Sequence, residues 1–207
     1  MTVFIATAAV TLGACVREPL EELCPPIAEG DLAITEVRGQ QSVSDTQGQW
    51  IELINLSGSP IDPSGLQLRL RDGSGGDEVG LMVRDQDLEI GADGDDAYFV
   101  LGRSARDELP CHLDYSYQSD WEGELDGRAR IDLLSCGVLI DTVSFDYVTH
   151  GPLPSVGSWS LDGDIAPSAE ANDDQANWCN DDADVPPPCV NEIGIPGTPQ
   201  LENRPCS

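Results

Sequence analysis

Leu66-Gln67-Leu68-Arg69-Leu70-Arg71 alternates without a fault between apolar and polar side chains. That is the period of a strand that buries one face and wets the other. The same pattern shows in Leu32, Ile34 and Val37 among polar neighbours, and in Trp50-Ile51-Glu52-Leu53-Ile54-Asn55-Leu56. It recurs in Leu88-Glu89-Ile90, in Ala97-Tyr98-Phe99-Val100-Leu101, across Ala129 to Leu134 and across Val138 to Phe145. Gly, Asp and Ser clusters such as Asp72-Gly73-Ser74-Gly75-Gly76-Asp77 and Gly91-Ala92-Asp93-Gly94-Asp95-Asp96 separate these runs and supply turn chemistry. Beyond the first fourteen residues no stretch sustains a helical period. About eight short strands with turns between them predict an all-β chain, an Ig-like antiparallel β-sandwich with long disulfide-tied loops.

The 207 residues are enough for one packed core. Asp and Glu total 38 against 10 basic residues, all of them Arg, for a net charge of −28. Such a balance excludes a basic nucleic-acid-binding face, because a polyanion would be repelled and no counterions released. It also argues against direct docking on anionic lipid. A hydrophobic fraction of 40% still provides a core, so disorder throughout is not expected.

Met1 to Ala14 carries no charge and is mostly apolar or small. The run is too short to span a bilayer but has the length of a signal-peptide core. Leu12-Gly13-Ala14-Cys15 resembles the lipobox of bacterial lipoproteins, although the n-region lacks Lys and Arg. That resemblance implies a signal peptide over 1–14, a lipidated Cys15, a tether over 15–30 and a folded domain over 31–206. Val16 after the cysteine implies the outer membrane or cell surface. The remaining cysteines, Cys24, Cys111, Cys136, Cys179, Cys189 and Cys206, are even in number and suit three disulfides in an oxidising compartment. Connectivity is open, with Cys111 to Cys136, Cys179 to Cys189 and Cys24 to Cys206 as the expected set. Zinc is disfavoured, because no Cys-x-x-Cys is present and histidine is nearly absent.

Residues 131–203 hold thirteen acidic residues and no basic one. They are expected to be long loops lashed to the sandwich. Asn180, Asp182 and Asp184 place oxygen ligands at alternate positions, as do Asp85, Asp87 and Glu89, and so offer a calcium site. Neither stretch has the glycine and glutamate of an EF-hand loop, and a solvated acidic loop is the stronger reading. No catalytic residues are expected: the only histidines, His112 and His150, lie in polar loop sequence and are read as solvated, and no Gly-x-Ser-x-Gly is present. Trp50 and Trp159 fall in strand patterns and belong in the core, whereas Trp121 is read as a buried loop anchor.

Gly30-Asp31-Leu32-Ala33-Ile34-Thr35-Glu36-Val37, Trp50-Ile51-Glu52-Leu53-Ile54-Asn55 and Ile61-Asp62-Pro63-Ser64-Gly65-Leu66 together resemble the first three strands of the lamin tail domain family, in its bacterial exported branch. Ala97 to Gly102, Ile140 to Val143, Gly157 to Asp162, Trp178-Cys179 and Pro196-Gly197-Thr198-Pro199 with Asn203 resemble its later part. The chain departs from the family at Gln49, where an acidic residue is common, at Leu66, where Trp is common, and at Gln200, where Gly is usual. The resemblance implies an Ig-like sandwich used as an interaction module, with no catalytic residues to carry over. The expected function is therefore that of a non-enzymatic envelope lipoprotein that binds an extracellular or envelope protein or polymer, without nucleic acid and with no cofactor beyond a possible calcium ion. The alternative is an accessory module of an exported hydrolase that binds carbohydrate or calcium.

Overall fold

A computed structural model describes residues 23–39, 41, 48–72, 78–104, 109–121, 125, 128–146, 153–183 and 196–206. Among them are β1 (Leu32–Arg38), β2 (Trp50–Asn55), β3 (Gln67–Asp72), β4 (Glu78–Met82), β5 (Tyr98–Gly102), β6 (Tyr115–Ser116), β7 (Arg128–Ser135), β8 (Val138–Asp146), β9 (Ser158–Leu161) and β10 (Trp178–Asp181). They form a six-stranded sheet in the order β10-β9-β1-β2-β5-β6 and a four-stranded sheet in the order β4-β3-β7-β8. Neighbours are antiparallel except β5 and β6, which run parallel.

The alternation read in β3 points Leu68 and Leu70 inward, beside Ile131 and Leu133 of β7 and against Ile51 and Leu53 of β2. Removing each such side chain from water stabilises the fold by about 2 kcal/mol. The chain is thus the all-β sandwich that its periodicity demands. β7 and β8 meet in a two-residue turn at Cys136-Gly137, both with positive φ (50° and 79°), the hand that matches strand twist.

Several expectations are corrected. Glu78–Met82 is a strand that the turn cluster before it concealed, while Leu88-Glu89-Ile90 supplies only a bridge from Ile90 to Ile61. The C-terminal third is not all loop, because Ser158–Leu161 and Trp178–Asp181 extend the six-stranded sheet through β1. Residues 23–30 do not hang free as tether. Ile27 is buried and the Ser135 hydroxyl donates to the Pro25 carbonyl at 2.6 Å.

That docking brings Cys24 to the β7–β8 turn, so the disulfide is Cys24–Cys136. The Cys206 amide donates to Asp162 Oδ1 at 3.0 Å, and its sulfur pairs with Cys179. The expected pairs Cys111–Cys136, Cys179–Cys189 and Cys24–Cys206 are therefore not formed. Cys111 is itself disulfide-bonded. Cys15, Cys189, Asp184 and His150 lie outside the described residues.

Candidate functional site

β1 carries a bulge between Ile34 and Glu36 that sets Glu36 directly across from Glu52 of β2. Both side chains stand on the outer face of the six-stranded sheet, since Ile51 and Leu53 fill the inner one. Two carboxylates opposite each other on an exposed sheet would repel. Here neither is exposed, because each residue has 0% of its surface accessible.

The cover is the segment 196–206, which crosses the outer face as a strap. Its Thr198 amide donates to Glu36 Oε1 at 3.0 Å and to Oε2 at 3.2 Å, and the Ser158 hydroxyl also donates to Oε1. The Gln200 amide donates to Glu52 Oε2 at 2.8 Å, and the Thr35 hydroxyl to Oε1 at 2.8 Å. Gly197 allows the close approach, since with φ at +117° a Cβ there would stand 2.5 Å from Glu36 Oε1. Gln200 holds φ at 66°, a left-handed conformation that favours glycine. The Cys179–Cys206 disulfide and an ion pair between Arg204 and Asp181 at 2.6 Å fasten the end of the strap.

The hydrogen-bond inventory asks for a proton at this site. Asn203 donates to the carbonyls of Thr35 and Leu161 through Nδ2, both at 2.9 Å, which leaves Oδ1 as an acceptor. Thr198 Oγ1 lies 3.0 Å from that Oδ1 and also 3.0 Å from Glu36 Oε2. One hydroxyl proton cannot satisfy both acceptors. A protonated Glu36 completes the chain by donating to Thr198, which then donates to Asn203. The electrostatics agree. Burial, opposed by these hydrogen bonds, raises the Glu36 pKa to about 7. Burial and then the charge of Glu36 push Glu52 well above its ordinary range. Burial likewise raises Asp114, which accepts from Gln200 Nε2 at 2.8 Å.

Beside the strap opens a cleft of about 420 Å³, lined by Glu89, Asp95, Asp96, Tyr98, Asp114 and Gln200 among others. Burial, with the nearby acids Glu52 and Glu202, lifts the Tyr98 phenol to about 12. Among the described residues no three His, Cys, Asp or Glu side chains converge as metal ligands.

The other outer face presents the opposite charge. Asp132 of β7, its side chain fully covered, accepts from Arg69 Nε at 2.9 Å and Nη2 at 2.6 Å and from Arg71 Nη2 at 2.5 Å. It also accepts from Arg130 Nε at 2.7 Å and from the Thr142 hydroxyl at 2.9 Å. Burial alone would raise its pKa, but the bonds from Arg69, Arg130 and Thr142 overcome that and hold it below the ordinary value.

Of the calcium candidates, Asn180 and Asp182 are exposed, and the buried acid of that stretch is Asp181, engaged by Arg204. In the second candidate stretch the Asp87 amide donates to Asp85 Oδ1 at 3.0 Å, closing a turn. His112, expected in solvent, is instead 1% exposed, beside Leu113, which packs on Trp50 and Val100. Trp121 is buried, edge-on to Tyr117, and Trp159 is half-buried against Phe145 and Trp178. Glu36, Glu52 and Asp132 were not singled out in the sequence. Their strand parity marks them as outward-facing, and only the strap or the arginines reverse that.

No protein-family model matches the chain, and no curated protein matches it at a significant level.

Proposed function

We propose that the protein is an exported, lipid-anchored bacterial envelope protein whose sandwich, of the lamin-tail kind, serves as a non-enzymatic interaction or adhesion module. The observation that carries this reading is the pair of disulfides, Cys24–Cys136 and Cys179–Cys206, bonds that persist in an oxidising exterior and are rare in the cytosol. Cys24 is stapled to the β7–β8 turn, so a lipid on Cys15 would sit nine positions before the folded domain. The lamin-tail reading gains support from contact. Glu36, Glu52, Thr198 and Asn203 lie in the separate stretches that carry the resemblance, and they join in one buried cluster.

The test of anchoring is Cys15→Ala, which is expected to abolish acyl labelling and shift the protein from the membrane to the soluble fraction. Unchanged fractionation would overturn the anchor.

A further inference from the structure

We propose that the outer face of the four-stranded sheet binds a carboxylated polysaccharide, with Arg69, Arg71 and Arg130 as its contacts and Asp132 as the residue that positions them. The inference deepens the interaction-module reading by naming a surface and a partner chemistry, and it rests on that reading only for the setting.

Three of the ten arginines in a chain of net charge −28 gather on one buried carboxylate. Their side chains remain 35%, 37% and 46% exposed. Asp132 occupies Nε and Nη2 of Arg69, Nη2 of Arg71 and Nε of Arg130. Among the described residues, Nη1 of all three has no protein acceptor. Each guanidinium is thus tied to Asp132 while its side chain stays partly exposed, although Nε of Arg71 is buried without a partner; a preorganised arrangement of this kind suits planar oxyanions.

The surface beside the cluster is open at Gly80. Gly80 of β4 stands across from Arg69, and a Cβ there would meet nothing within 4 Å. Glu78, across from Arg71, is an acid at the rim. The outward positions of β3 and β4 are Gln67, Arg69, Arg71, Glu78, Gly80 and Met82, so those strands offer no aromatic ring on which a base could stack. Nucleic acid, with a phosphate charge about every 1.7 Å, also suffers most from the protein's own field. A polymer with about one carboxylate per sugar suffers far less, and its hydroxyls suit a polar, hydrated face.

Net charge and patch together set an unusual salt response. At low ionic strength the field of the whole chain repels the polymer. Near 0.15 M salt, where screening acts beyond about 8 Å, the distant acids fade while direct guanidinium contacts persist. Higher salt then weakens the contacts themselves. Affinity should pass through a maximum, unlike the steady decline of an ordinary basic patch.

The experiment measures binding of polygalacturonate to the purified full-length chain from about 20 mM to about 1 M NaCl, with neutral dextran and poly-glutamate alongside. The wild type is expected to bind polygalacturonate with an optimum at intermediate salt and not to bind dextran. Arg69→Gln combined with Arg71→Gln should weaken binding about tenfold for each guanidinium removed, and Arg84→Gln, which breaks only an exposed pair with Asp120, should not. Arg130→Gln gives the same reading from the neighbouring strand if the double variant is poorly folded. Absence of binding at every salt concentration, equal binding by the arginine variants, or preference for poly-glutamate would overturn the proposal. Anchoring is read separately by acyl labelling of Cys15, so the two can fail independently.

Discussion

On the outer face of the six-stranded sheet, Glu36 and Glu52 are covered by backbone amides and hydroxyls from a strap, whereas on the outer face of the four-stranded sheet Asp132 is covered by three guanidiniums. Both arrangements remove carboxylates from water, and they have opposite consequences for protonation. Neutral donors do not repay the desolvation of two adjacent acids, so those pKa values rise. Cationic donors on a single acid do, so that of Asp132 falls. Burial by itself therefore does not fix the charge of an acid; its partners do.

The largest expected effect comes from releasing the strap. Cys179→Ser with Cys206→Ser opens a loop of 27 residues in sequence separation and should lower unfolding stability by about 3–4 kcal/mol in urea titration. A loss below about 1 kcal/mol would show that hydrogen bonds alone hold the strap. Next in size, Glu36→Ala leaves the Thr198 amide and the Ser158 hydroxyl without their acceptor beside a new void, at a cost of about 3 kcal/mol near pH 6. Glu36→Gln reproduces the protonated acid, with its amide donating to Thr198, and should retain most of that stability.

The pH profile separates the two faces. Because the folded chain holds Glu36 near 7 against an ordinary 4.5, it binds more protons than the unfolded chain between those values, and stability falls as pH rises through them. Replacing both glutamates by glutamine should flatten this slope and gain about 2 kcal/mol at pH 8, measured by denaturant midpoint. A slope unchanged in the double variant would assign it to the general acidity of the surface instead. Asp132 works the other way. Its folded pKa lies below the ordinary 3.8, so its contribution is present above that value and is lost on acidification beneath it. The smallest effect is expected from Arg69→Gln, which removes two bonds from a covered carboxylate that keeps Arg71, Arg130 and Thr142, and should cost about 1.5 kcal/mol in urea titration while weakening polysaccharide binding.

Alternation made β1, β2, β3, β5, β7 and β8 legible, because one face of each strand had to be apolar. β4 escaped notice because Gly80 interrupts a short strand immediately after a glycine-rich turn. β9 was marked only by the strand pattern at Trp159, and β10 carries too few apolar positions to stand out from the acidic loops around it. His112 looked solvated because its sequence neighbours are polar, yet loop burial depends on what packs above it. The disulfide pairing failed for a related reason. The expected Cys179–Cys189 bond gives way because strand β10 and the C-terminal strap bring Cys179 to Cys206.

What the sequence by itself determined was the alternating strands, their apolar faces and the chain's acidity, all properties of local pattern and composition. Only the tertiary structure decided which acids became buried, with which partners and in which protonation state. Glu36 and Thr198 are 162 positions apart, and Arg69 and Asp132 are 63 apart. A pKa depends on distances across such gaps, which strand parity does not encode.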